Sequence, residues 1–92
     1  MITVRFYTLL RLLLNQHQVD LDDAAGTVAN VLEQAQRRVP TPFLHKLRDE
    51  SGALIKGSII LVNGRNILHT GGLDTGVKDG DDLALFPPGG GG

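Results

Sequence analysis

Polar and apolar residues alternate over residues 1–8, with Ile2, Val4 and Phe6 on one side and Thr3, Arg5 and Tyr7 on the other. A period of two with β-branched and aromatic residues predicts a strand that covers a core on one face. Residues 17–22 repeat the alternation through Val19 and Leu21 and predict a second strand. Between them, Leu9, Leu10, Leu13 and Leu14 fall near one another on a helical turn, so residues 9–16 read as a short helical connector. The period changes over residues 27–38. Val28, Val31, Leu32, Ala35 and then Val39 recur at i, i+3, i+4 and i+7, the stripe of an amphipathic helix. Thr27 is placed to cap its N-terminus, Arg37 and Arg38 suit the negative end of its dipole, and Pro40 and Pro42 stop it. Phe43, Leu44 and Leu47 predict one further short turn before Ser51-Gly52.

The run Ser-Ile-Ile-Leu-Val at residues 58–62 meets Asn63-Gly64 directly. Asn-Gly suits a type I′ turn, so the chain is expected to return antiparallel over residues 65–68. Gly71-Gly72, Gly76 and Asp79-Gly80 are turn chemistry. A last strand spans residues 82–86, with Leu83 and Leu85 inward and Ala84 and Phe86 outward, and Pro87-Pro88 ends it. The order β-β-α-β-β-β, with the first and last strands side by side in the centre, describes an α+β protein of the β-grasp, or ubiquitin-like, type. Its mixed sheet of about five strands packs on one main helix, a fold on which pattern, caps and turns agree.

Composition narrows the function. The 92 residues allow one small domain, and 41% hydrophobic with 21% charged residues fits a globular chain. A formal net charge of −1 gives no electrostatic footprint for nucleic acid or an anionic membrane. The sequence has no cysteine, which excludes disulfides, thiolate metal sites and a cysteine nucleophile. Residues 8–14 form the longest leucine-rich stretch, and Arg11 interrupts it well short of a membrane span. The expectation is a cytoplasmic domain over residues 1–88, without a leader segment, followed by a flexible glycine tail over 89–92.

The tail is where chemistry is expected. Gly89, Gly90, Gly91 and Gly92 have no side chains, so they offer only amides and, at the last residue, a carboxylate. Such a strand fits a narrow channel, and Pro87-Pro88 would hold it away from the domain. Four extended residues reach roughly 13–14 Å, enough to enter a partner's active site. A carboxyl with a pKa near ~3.3–3.7 is an anion at neutral pH and a poor electrophile, so transfer chemistry at Gly92 requires activation, most simply as an acyl-adenylate made from ATP. The domain shows no phosphate-binding loop and no nucleophile triad, so the tail reads as the substrate of a partner enzyme and the chain as non-catalytic.

Val4-Arg5-Phe6-Tyr7, Leu10-Arg11-Leu12-Leu13, Leu61-Val62-Asn63-Gly64, Val77-Lys78-Asp79-Gly80-Asp81 and Leu85-Phe86-Pro87-Pro88 with the closing Gly91-Gly92 follow one another in an order that resembles the small subunit of molybdopterin synthase. The related thiamine-pathway sulfur carriers share the fold and the Gly-Gly end. The resemblance implies that an E1-like enzyme adenylates Gly92 using ATP and that the carboxyl becomes a thiocarboxylate. The large synthase subunit would then receive the tail, threaded through Pro87, Pro88, Gly89, Gly90 and Gly91, and pass the sulfur to a pterin precursor. Gly89 and Gly90 depart from the bulkier residues usual in that family, and Leu12 stands where an acidic residue is usual.

The outward Tyr7 and Phe86 match interface positions of that family and form the candidate docking patch, with Arg11 and Arg65 as its rim. A modifier joined to target lysines through the same Gly92, or a carrier for another pathway such as thiamine, uses the same first step. His17, His45 and His69 are too scattered for metal ligation, and no metal site or bound cofactor is expected. Asp79, Asp81 and Asp82 read as turn formers, and nothing singles out Lys46, Lys56 or Lys78 as a conjugation site.

Overall fold

The computed structural model describes residues 1–89. The main sheet is built from β1 (Ile2–Phe6), β2 (Gln18–Leu21), β4 (Ile59–Val62), β5 (Arg65–Asn66) and β7 (Asp82–Phe86). Their order across it is β2-β1-β7-β4-β5. β1 and β7 are parallel at the centre, paired Thr3 to Asp82 through Phe6 to Leu85. β2 lies antiparallel to β1 and β4 antiparallel to β7. The helix α2 (Val28–Arg38) crosses one face of this sheet, giving the expected β-grasp layout.

The alternation of the central strands decides what is buried. Ile2, Val4, Phe6, Leu83, Leu85 and Ile60 point to α2, which answers with Val28, Val31, Leu32 and Ala35; all ten are fully buried. Phe43 and Leu47, from the segment after the helix, and Ile67 complete the core. α2 begins with a reciprocal cap. Asn30 donates its N–H to Thr27 Oγ1 at 3.2 Å, and Thr27 donates its own to Asn30 Oδ1 at 3.0 Å. Gln36 fixes the departing chain by accepting the Phe43 N–H at 2.8 Å and donating to the Thr41 carbonyl at 3.0 Å.

Several boundaries differ from expectation. The first strand stops at Phe6, because residue 8 sits in a turn. The connector helix α1 covers Leu9–Leu14 and is ended by Asn15 in the left-handed conformation, φ 51 and ψ 44. The return after Asn63-Gly64 is paired only over Arg65–Asn66. There the Asn66 side chain accepts the Leu68 N–H at 2.9 Å and starts a 3-10 turn at Ile67–His69, so Leu68 is exposed rather than part of a strand. Asn63 and Gly64 have the positive φ values, 51 and 84, that a type I′ turn requires. A second, two-stranded sheet of β3 (Gly26–Thr27) and β6 (Gly76–Val77) was not expected; pieces so short carry no readable alternation.

The aspartates expected as turn formers include one buried group. Asp81 accepts the Lys78 backbone N–H and the Asn63 amide, each at 2.9 Å, and so ties the β6–β7 turn to the β4–β5 turn. Burial alone pushes its carboxyl up, but these two hydrogen bonds and the Lys78 charge outweigh that and hold it below the ordinary carboxylate value. A depressed folded pKa stabilises above the unfolded value, and the contribution is lost as pH falls through the folded one. Asp81→Ala is therefore expected to cost about 2 kcal/mol at pH 7, since it leaves both donors unpaired. In urea titrations the gap to wild type should narrow as pH falls below the ordinary aspartate value and through the lower folded one; a gap that is constant with pH would refute the charged role.

Among the described residues no helix is long and apolar enough to cross a membrane.

Candidate functional site

The sheet face away from α2 divides into two ends. At the start of β1 and β7 it is polar. Arg5 Nε donates to Asp82 at 2.9 and 3.1 Å, Arg5 Nη1 to Gln18 Oε1 at 3.0 Å, and Thr3 Oγ1 to Asp20 Oδ1 at 3.1 Å. The hydrogen bond and charge of Asp82 hold the Arg5 guanidinium above its ordinary pKa. This end is satisfied internally.

The other end is apolar and lies where β7 hands over to the tail. Tyr7 N–H donates to Leu85 O at 3.1 Å, continuing the parallel ladder one residue past β1. That places Tyr7 beside Phe86, and their rings stack with centroids 4.5 Å apart and planes 9° off parallel. Arg11 lies over the Tyr7 ring, its guanidinium carbon 5.2 Å from the centroid, and donates from Nε to the Phe6 carbonyl at 3.2 Å. On the other flank, Ile59 pairs with Phe86 and Leu61 with Ala84, so both share the Phe86 face. α1 follows Tyr7 after the single residue Thr8 and leaves Leu9, Leu12 and Leu13 exposed, Leu12 at 76%.

The turn into α1 is strained. The Leu10 N–H donates to Tyr7 O at 3.1 Å, with Thr8 between them at φ 51 and ψ −125. That is the first central position of a type II′ turn, normally glycine. A β-branched residue there is a steric outlier next to the aromatic pair, and strain of this kind gathers where geometry serves a site.

The structure thus brings Tyr7, Phe86 and Arg11 together and sets Arg65 apart. Arg65 pairs with Val62, which belongs to the α2 side of the sheet, and it lines a different depression with Thr70, Thr75, Lys78 and Asp81. The two-residue turn reverses the chain without changing face, and Val62 follows Leu61, so alternation turns Arg65 away from Phe86. Sequence reading missed Ile59 and Leu61 as patch members. Residues 59–62 are all apolar and the polar Ser58 before them is itself buried, so nothing in the run marks which side chains face outward.

Pro87 is buried, Pro88 half-buried and Gly89 exposed. Gly90, Gly91 and Gly92, the rest of the expected tail, lie outside the described residues. His17, His45 and His69 are exposed, and among the described residues no three His, Asp or Glu side chains gather as a metal site.

A family model described as the ThiS family matches residues 4–92. A protein of Archaeoglobus fulgidus described as a candidate sulfur carrier is 33% identical over 80% of this chain and 83% of its own length. Small archaeal modifier protein 3 of Haloferax volcanii is 30% identical over 97% of this chain and 96% of its own. A chain of the Amycolatopsis orientalis BexX/CysO complex superposes with a TM-score of 0.79 at 27% identity, covering 100% of both chains. With its β-grasp fold and its matched length, the chain belongs to the ThiS family of small ubiquitin-like sulfur carriers.

Proposed function

We propose that this chain is the sulfur carrier of molybdopterin synthesis, working as a non-catalytic cytoplasmic substrate of partner enzymes. The observation that carries the reading is the stacked Tyr7–Phe86 pair, an apolar docking surface at the point where the chain leaves the last strand for a side-chain-free tail. In the first step a Gly92 carboxylate oxygen attacks the α-phosphorus of ATP in an E1-like enzyme, and pyrophosphate leaves. A sulfide equivalent then adds to the acyl carbon and AMP departs, leaving a thiocarboxylate. The tail enters the large synthase subunit, where the thiocarboxylate delivers sulfur to a pterin precursor and the carboxylate is regenerated by water.

Docking and chemistry are separated in space. The patch supplies binding energy outside the partner's active site, and the tail delivers one reactive carbon inside it. ATP and the acceptor are bound by the partners, so this chain carries no resident cofactor in this reading.

A second reading has its own support in the likeness to small archaeal modifier protein 3. In it the same adenylate is attacked by a target lysine. A carrier for a different sulfur acceptor, such as the thiamine pathway's, remains within the same chemistry.

Intact mass after incubation with ATP, a sulfide donor and an activating enzyme separates carrier from modifier. The carrier reading expects a gain equal to one oxygen exchanged for sulfur on the free protein. Lysine adducts without that gain favour the modifier, and no change with an enzyme active on another carrier overturns both.

A further inference from the structure

We infer that Asn63 is a spontaneous modification site held shut by Asp81: the Asn63–Gly64 turn is set to cyclise and lose ammonia, and the hydrogen bonds tying the Asn63 amide to the start of β7 prevent it. Gly92 and its chemistry play no part in this.

An asparagine cyclises when the backbone nitrogen of the next residue attacks its side-chain amide carbon. A C–N bond forms, the amide nitrogen leaves as ammonia with the proton shed by the attacking nitrogen, and a cyclic imide results. Water then adds at either ring carbonyl and opens it to aspartate, or to isoaspartate, in which the main chain runs through the former side chain. A side chain on the attacking residue hinders the first step, and glycine has none. Of the four asparagines, Asn63 alone precedes a glycine; Asn15, Asn30 and Asn66 precede Gln16, Val31 and Ile67. Asn63 and Gly64 are both exposed, with open space where a Gly64 side chain would be, so water and base have access.

The amide itself is engaged. Asn63 N–H donates to Asp82 O at 2.8 Å, and Asp82 N–H donates back to Asn63 Oδ1 at 2.9 Å. The main chain leaves for the turn here, so the side-chain carbonyl takes the place of the backbone one and closes the last rung between β4 and β7. Asn63 Nδ2 donates to the buried Asp81 carboxylate at 2.9 Å, whose other oxygen accepts the Lys78 N–H. Both ends of the amide are therefore bound to another segment. Its carbon cannot turn onto the Gly64 nitrogen until those bonds break.

The clasp also does not re-form afterwards. Aspartate at position 63 sets an oxygen where Nδ2 stood, against Asp81 Oδ1, and two carboxylates so close resist being charged together. Lys78, its Nζ 3.9 Å from Asp81 Oδ1, and Arg65, lining the same depression, are the cations facing the pair. Of the neighbouring acids, Asp82 is bound by Arg5 and Asp79 by the Met1 ammonium. Isoaspartate lengthens the backbone and loses the rung outright.

The test ages the chain at mildly alkaline pH and follows the amide-to-carboxyl mass gain at Asn63 by peptide mapping. The folded chain should react on the order of tenfold to a hundredfold more slowly than the same chain unfolded in urea, because two hydrogen bonds, one to a charged acceptor, must break first. Asp81→Ala removes the charged one and should speed the folded chain about tenfold. Val31→Ala, a buried truncation in α2, is the control for stability lost elsewhere and should stay near the wild-type rate. Equal rates for folded and unfolded wild type, or for the two alanine variants at comparable urea midpoints, would overturn the inference. Should Asp81→Ala fail to fold, Asp81→Asn decides it. That variant keeps the shape but not the charge, so about fivefold faster ageing is expected and a wild-type rate refutes.

Asn63→Asp carries the product directly. Its urea midpoint should lie below wild type at pH 7, and the deficit should narrow as pH falls and one of the two carboxyls takes up a proton, since a carboxyl raised by its neighbour destabilises only above its ordinary value. A midpoint equal to wild type at pH 7 overturns the clasp.

Discussion

Deleting Gly92 is expected to reduce the oxygen-for-sulfur mass gain at least a hundredfold while leaving the urea unfolding midpoint unchanged. The shortened chain still ends in a carboxylate, that of Gly91, so loss of the functional group is not the reason. Reach is. One residue fewer withdraws the carboxylate by up to about 3.3–3.6 Å, and misplacement by about 1 Å already costs up to ~100-fold where reacting atoms must be aligned. A chain extended by one glycine should fail for the same reason in the opposite direction, which separates a reach effect from a missing group. Stability is untouched because every core residue precedes Pro87. Undiminished thiocarboxylate formation in the shortened chain would remove Gly92 from the mechanism.

In the proposed function, two different kinds of contact would sort partners. The aromatic pair and the neighbouring Ile59 and Leu61 would give area, whereas the tail would give placement. A partner that reads only the patch binds the carrier without reacting; one that accepts only the tail lacks the docking energy to hold it. The polar end of the same face, closed by Arg5, Asp82, Gln18 and Asp20 on one another, offers a partner little and confines docking to the tail end.

Most of the fold was legible because each long element carries its period and its punctuation together. Residues 27–38 show stripe, cap, basic last turn and prolines, and α2 spans Val28–Arg38. Asn63-Gly64 named its own turn. What could not be read were features set by tertiary pairing alone. Two-residue strands such as Gly26–Thr27 have no period. Ile59 and Leu61 sit in an unbroken apolar run whose phase is fixed only by the register with β7. Arg65 looked like a rim residue because its charge suited one, but its face follows from the tight turn and from Val62.

The assignment of faces yields the second large effect. Phe6→Ala is expected to cost about 3–5 kcal/mol, the range for truncating a buried phenylalanine. Phe6 is fully buried and meets Phe43 edge-on, with centroids 5.4 Å apart and planes at 69°. Alanine would lose the transfer energy of the ring, the edge-to-face contact, and the packing around the cavity left behind. Against a total stability of about 5–15 kcal/mol for a domain of this kind, that is a large fraction. At a urea slope near ~2 kcal/mol per molar the midpoint should fall by about 2 M. Phe86→Ala is the natural comparison, because Phe86 is also aromatic and in a central strand but faces outward. It should lose only the stacking with Tyr7 and partial burial, about 1 kcal/mol. A slip of one residue in β7 would exchange its two faces, burying Phe86 and exposing Leu85. Equal losses for the two alanine variants would mean that the outer face is a second core, and the docking patch would go with it.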